Sequence, residues 1–189
     1  IMTLLSEVHA ESLEEVIISS CDSKSVQKLL TSCRRLRYLE IRSEILIEDL
    51  LENVGEEIGG KRGGGEVVPW VCGDLEVLKV YFAQRTARVL YPTEASRVSP
   101  TPEGIAERAL HQKLWTLIGK MVQLHVLHVY TLLLQEDYSP RCLLISNGGV
   151  ESIVGLKNLK KLKLCGCQYH LIKDDVQLLQ KLKPTLFQD

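Results

Sequence analysis

The sequence has no excess of charge of either sign. Its 23 lysines and arginines stand against 24 aspartates and glutamates, a formal net charge of −1. A nucleic-acid binder gains affinity when a basic surface displaces counterions, so this balance argues against DNA or RNA as a partner. Nor is there an apolar run of membrane length. The longest, Leu124 to Leu134, is broken by His125 and His128 and falls far short of the roughly 20 residues that a spanning helix needs. No membrane partner is expected. An N-x-S/T acceptor and a signal peptide are both missing, which favours an intracellular setting, cytoplasmic or nuclear. Because the chain opens Ile1-Met2, we expect a fragment of a longer protein.

Catalytic and metal-binding signatures are lacking as well. Gly55 to Lys61 matches G-x-x-x-x-G-K, but Arg62 follows where a phosphate loop needs a hydroxyl for magnesium. Helical spacing precedes it where a strand is required, so we read a Gly-rich loop with six glycines between Gly55 and Gly65. Cys165-x-Cys167-x-x-His170 offers metal-ligand residue types without a fourth ligand nearby. His125 and His128 are an odd number of residues apart, so on one strand they face opposite ways. No Ser/His/Asp or Cys/His pairing is marked by its context. Neither catalytic residues nor a metal nor a cofactor is expected, and the chain does not read as an enzyme.

What the sequence does contain is a recurring hydrophobic ladder. Four stretches carry a bulky aliphatic residue or cysteine, two gaps of two, then a gap of one: Cys33-Leu36-Leu39-Ile41, Cys72-Leu75-Leu78-Val80, Met121-Leu124-Leu127-Val129 and Leu156-Leu159-Leu162-Leu164. Leu13-Val16-Ile18 is a partial fifth copy. The pattern is that of a leucine-rich repeat, in which each copy lays one short strand beside the last. The expected fold class is therefore α/β: a leucine-rich-repeat solenoid with short parallel strands on a concave face and helices and irregular insertions on the convex side. Residues 1–189 read as a single domain of about five irregular repeats. Val16, Leu39, Leu78, Leu127 and Leu162 follow one another at 23, 39, 49 and 35 residues, so the later copies must hold insertions, at 55–66 and 81–113 among other places.

Cysteine fits this ladder without any disulfide framework. Cys33 and Cys72 take first-rung positions that Met121 and Leu156 fill elsewhere, while Cys21 and Cys167 each follow a last rung by three residues. A free cysteine behaves as a small, buried hydrophobe, so packing alone explains them.

Between ladders the spacing turns helical. Asp22 or Ser23 caps a helix with Val26, Leu29, Leu30 and Cys33 on one face, and Ile47, Leu50, Leu51, Val54 and Ile58 repeat that spacing. Thr101-Pro102 reads as another helix start, with Ile105, Ala109, Leu114, Leu117, Ile118 and Met121 on its buried side. Asn147-Gly148-Gly149 reads as loop ahead of a short helix near Val150 to Val154, and Asp174 as the cap of a last helix closed by Pro184.

The cysteine-bearing copies resemble the leucine-rich repeats of F-box proteins and of the ribonuclease-inhibitor-like superfamily. Segments such as Leu30 to Leu39 and Trp70 to Leu78, with Cys167 followed by Ile172 and Asp174, look like divergent fungal members of that group. The resemblance covers roughly residues 13 to 183 and implies a protein-interaction module, the substrate-recognition part of a ubiquitin-ligase receptor. The F-box itself, which would dock on the ligase's adaptor, is not visible here, so an adaptor contact would need a segment outside this chain. A scaffolding repeat protein unrelated to ubiquitin is the alternative.

Strand alternation then sorts partner-binding candidates from core. Residues flanking the rungs point away from it: Tyr38, Glu40 and Arg42; Lys79 and Tyr81; His128 and Tyr130; Lys161 and Lys163. Tyr81 should neighbour Tyr130, and Lys79 should share the next column with His128. The expected partner is a protein.

Overall fold

The computed structural model describes residues 11–52, 69–83, 102–131 and 147–165. The Gly-rich run from Gly55, Val54 and Ile58, Thr101, Cys142, Cys167, His170 and the helix expected at Asp174 lie outside these residues.

The five strands lie in chain order in one all-parallel sheet: β1 (Glu15–Ile18), β2 (Tyr38–Leu46), β3 (Val77–Ala83), β4 (Val126–Thr131) and β5 (Lys161–Cys165). Their register sets like rung beside like rung. Val16, Leu39, Leu78, Leu127 and Leu162 are successive partners across the sheet. Val80, Val129 and Leu164 form the next row. Every rung of the four full ladders is at most 8% exposed, apart from partly buried Leu164. A slipped strand would turn all its leucines to water, and burying each one is worth about 1.5–3 kcal/mol, so the rungs set the register.

The main chain repeats along with the rungs. Ahead of each full ladder's strand, the second-rung N–H donates to the first-rung carbonyl, as Leu124 does to Met121 at 2.9 Å and Leu159 to Leu156 at 3.1 Å. Each carbonyl just before a strand then accepts two N–H groups from the next copy. Glu14 receives Arg37 and Tyr38, Arg37 receives Glu76 and Val77, Glu76 receives His125 and Val126, and His125 receives Lys160 and Lys161, all at 2.7–3.0 Å.

Helices join these strands and pack into the core formed by the rungs. In α1 (Ser23–Ser32) the Asp22 carboxylate accepts the Ser25 N–H at 2.7 Å, and Val26, Leu29 and Leu30 are buried. An N-cap of this kind is worth about 1 kcal/mol. A short α2 (Ile47–Leu50) buries Ile47 and Leu50. In α3 (Pro102–Gly119), Leu114, Trp115, Leu117 and Ile118 face the core with His111.

Three sequence expectations are corrected here. Ala109 is exposed, and His111 and Trp115 take the core side of α3 instead. The five-residue step from Ala109 to Leu114 turns a helix by about 140° beyond a full turn, off the buried face. Met121 lies past the end of α3 and serves only as a rung. Asn147 to Gly149, expected as loop, is the first turn of α4 (Asn147–Gly155). Glycine's helix penalty, about 1 kcal/mol per residue, is outweighed by docking on α3: a Cβ on Gly119 would sit 2.9 Å from the Ser152 Cβ.

The fold is thus α/β, a parallel sheet with helices. Among the described residues no helix is long and apolar enough to cross a membrane.

Candidate functional site

Away from the rungs, the alternate strand residues line up in three rows. Glu15, Tyr38, Val77, Val126 and Lys161 form the first, and Ile17, Glu40, Lys79, His128 and Lys163 the second. The third contains Glu44, Tyr81, Tyr130 and Cys165. Neighbouring strands are about 4.8 Å apart, so each row is a chain of side chains in contact range. All nine sequence candidates stand on this side of the sheet.

Glu40 is the hub of the β2–β3 end. Its Oε2 accepts the Tyr38 hydroxyl at 2.5 Å and the Lys79 ammonium at 3.0 Å, and its Oε1 accepts the Arg42 Nε at 2.7 Å. Lys79 also donates to the Tyr38 hydroxyl at 2.8 Å and lies 5.2 Å from that ring's centre. With the Tyr38 hydrogen bond first, then those from Arg42 and Lys79, the Glu40 carboxyl is held down to about 2. Lys79 is raised in turn, mostly through Tyr38 and Glu40. One carboxylate thus serves two cations, Arg42 and Lys79.

Arg42 reaches this cluster along a path that spacing alone does not reveal. A register shift between Glu40 and Glu44 inserts extra residues into β2, so Glu44, and not Arg42, lies beside Tyr81. Ile41 and Ile45 are both fully buried as a result. Ser43, at the shift, receives the Cys21 N–H at 3.2 Å and lies 3.3 Å from its sulfur. Arg42 folds back along its own strand onto Glu40.

At the other end, Tyr81 and Tyr130 stack with centroids 4.4 Å apart and planes 12° from parallel. The Lys163 ammonium is 5.9 Å from the Tyr130 centroid, and the His128 ring meets Tyr130 edge-on at 6.3 Å. Offset aromatic pairs gain about 0.5–1.5 kcal/mol beyond area burial, which makes the stack a firm platform. His128 is only 9% exposed, and its Nε2 has no hydrogen-bond partner among the described residues. Burial foremost, then Lys161, Lys79 and Lys163, lowers its basicity.

Sequence reasoning missed two further features. Arg37 donates to Glu76 Oε1 at 2.9 and 2.6 Å, and His125 Nδ1 lies 4.0 Å from Glu76 Oε2, a polar row beside the strand starts. These residues precede the strands, where alternation carries no information. The role of Glu44 was hidden by the register shift. A helical reading of the second connection does not reveal it either.

Among the described residues no group of three His, Cys, Asp or Glu side chains could hold a metal ion. Cys33 and Cys72 are core thiols, with burial pushing Cys72 up to about 12, far from the reactive thiolate range. Compared with family models, with curated proteins and with solved structures, the chain matches none.

Proposed function

We propose that the chain is a leucine-rich-repeat solenoid whose polar sheet face binds a protein partner. The observation that carries this reading is the Tyr81–Tyr130 stack, set beside the exposed Lys161 and Lys163 on a sheet ordered strand by strand. Tyrosine gives a large contact area with few rotors to freeze, and buried aromatic anchors dominate binding energy at protein interfaces. The repeated pre-strand turns and the doubly accepting carbonyls support the solenoid part, because one supersecondary unit stacked on itself produces them. The resemblance to F-box repeats gives the specific form of the proposal, substrate recognition for a ubiquitin ligase in an intracellular setting. Free thiols at Cys21, Cys33 and Cys72 suit a reducing compartment.

Replacing both tyrosines, Tyr81→Ala with Tyr130→Ala, is expected to weaken partner binding by about 2 kcal/mol or more while the far-UV circular dichroism stays unchanged. Equal affinity of a purified partner for parent and variant would remove this face from consideration. Co-purification of the ligase adaptor with the natural full-length protein tests the ubiquitin arm separately.

A further inference from the structure

The polar face is electrostatically lopsided. Glu40 gathers Tyr38, Arg42 and Lys79 at the β2–β3 end, so those charges are already partnered. Lys161 and Lys163 are exposed on β5 and form no ion pair with any described residue. Between the two ends lies His128, more than nine-tenths buried, with its Nε2 sealed off and unpartnered. Leaving a buried polar nitrogen unpaired is costly, so a partner for it is worth having. Its neighbours in register are Lys79 and Lys163, and an ammonium can donate but never accept. A group that complements both an Nε2–H of the imidazole and the two lysine ammoniums, neither of them ion-paired with a described residue, is an oxygen acceptor with negative charge.

We propose that the β4–β5 end of this face receives an acidic side chain of a protein partner. A carboxylate of aspartate or glutamate lies between Lys161 and Lys163 and accepts the His128 N–H, while an adjacent apolar residue of the same segment rests on the Tyr81–Tyr130 stack. Lys163, exposed and on the last described strand, swings outward to admit the carboxylate. The proposal rests on the protein-binding reading of the face and adds the chemistry of the partner. A carboxylate is favoured over a phosphate group because phosphate recognition favours forked arginines, and the arginine on this face, Arg42, is held by Glu40. The aromatic platform beside the lysines likewise suits a side chain more than an isolated ion.

The test is a selection of random peptides displayed on phage against the full chain, followed by synthesis of the most enriched sequence as the probe. The expected result is enrichment of peptides that pair an acidic residue with an aromatic or aliphatic neighbour. Lys161→Ala with Lys163→Ala should weaken the synthetic peptide about tenfold or more, and its affinity for the parent should fall as salt is raised. Binding should also shift the His128 ring resonances. Arg34→Ala with Arg35→Ala, which removes the same charge away from the face, should leave affinity unchanged. Both lysines are exposed, so circular dichroism should confirm that the double variant folds.

Enrichment of peptides without acidic residues, or an affinity indifferent to the loss of both lysines, overturns the proposal. The broader reading survives that outcome if Tyr81→Ala with Tyr130→Ala still abolishes binding. Selection of no peptide, or of peptides that bind this tyrosine variant as well as the parent, overturns both. Displacement of the peptide by equimolar inorganic phosphate would reveal a simple anion site and also overturn the acidic-peptide proposal.

Discussion

Protonating Glu40 would strip three donors, Tyr38, Arg42 and Lys79, of their common acceptor at once. That is why its carboxyl is held at about 2, well below its ordinary 4.5. A depressed carboxyl stabilises the fold fully above its unfolded pKa and loses that contribution as pH falls through the folded one. The window here runs from about 4.5 down to about 2. Tyr38→Phe removes the largest of the three contributions, so the Glu40 titration followed by carboxyl-carbon NMR should move upward. A midpoint unmoved in Tyr38→Phe would mean that Arg42 and Lys79 hold the carboxylate without help. The cluster was only half legible beforehand. Alternation placed Tyr38, Glu40 and Lys79 on one face, but Arg42 joins them through a shift in register that no local spacing announces.

Helices α3 and α4 meet at a point where side chains have been reduced to almost nothing. Gly119 closes α3, and a methyl group there would stand 2.9 Å from the Ser152 Cβ and 3.3 Å from its Cα. Real Cβ atoms do not approach so closely, so one helix has to move. Gly119→Ala should therefore destabilise by about 1–3 kcal/mol through overpacking, although alanine is the better helix former by about 1 kcal/mol. Chemical denaturation of the variant checks the sign. A midpoint at or above the parent's would show that the helix ends yield freely. The helix starts at Asp22 and Pro102 could be read from capping chemistry, which is local. The glycines of Asn147 to Gly149 misled because docking on another helix, not propensity, decides that turn.

Among the described residues the core is one connected cluster that runs from Ile18 on β1 to Leu162 on β5 and takes in residues from each of the helices α1 to α4. Leu127 lies inside it with no exposed surface, between Leu78 and Leu162 in the sheet. Truncation by Leu127→Ala should cost about 2–5 kcal/mol, the lost transfer energy together with the cavity left behind. Because its neighbours on both strands lose contacts, the whole denaturation curve should move rather than a single shoulder appear. An unchanged curve would contradict the assignment of inside and outside. The tyrosine stack on the opposite face should leave this curve nearly untouched, so stability and partner binding can be separated by mutation.

The sequence by itself determined which rungs are inside, how the strands align apart from the shift within β2, and which candidates share a face. Those properties follow from period-two alternation and from the cost of exposing a leucine, both of which act within a few residues. The nearness of Tyr81 and Tyr130 followed from the same logic, once like rungs were set side by side. Tertiary structure alone decided the internally paired Glu40 cluster, the place taken by Glu44, the Arg37–Glu76 row and the Nε2 of His128, which has no partner among the described residues. The Lys79–Glu40 and Arg37–Glu76 contacts, for instance, depend on where side-chain ends meet between residues 39 apart in the chain. The rungs dictate which residues are neighbours, but only packing dictates how the long polar side chains between those neighbours share their charges.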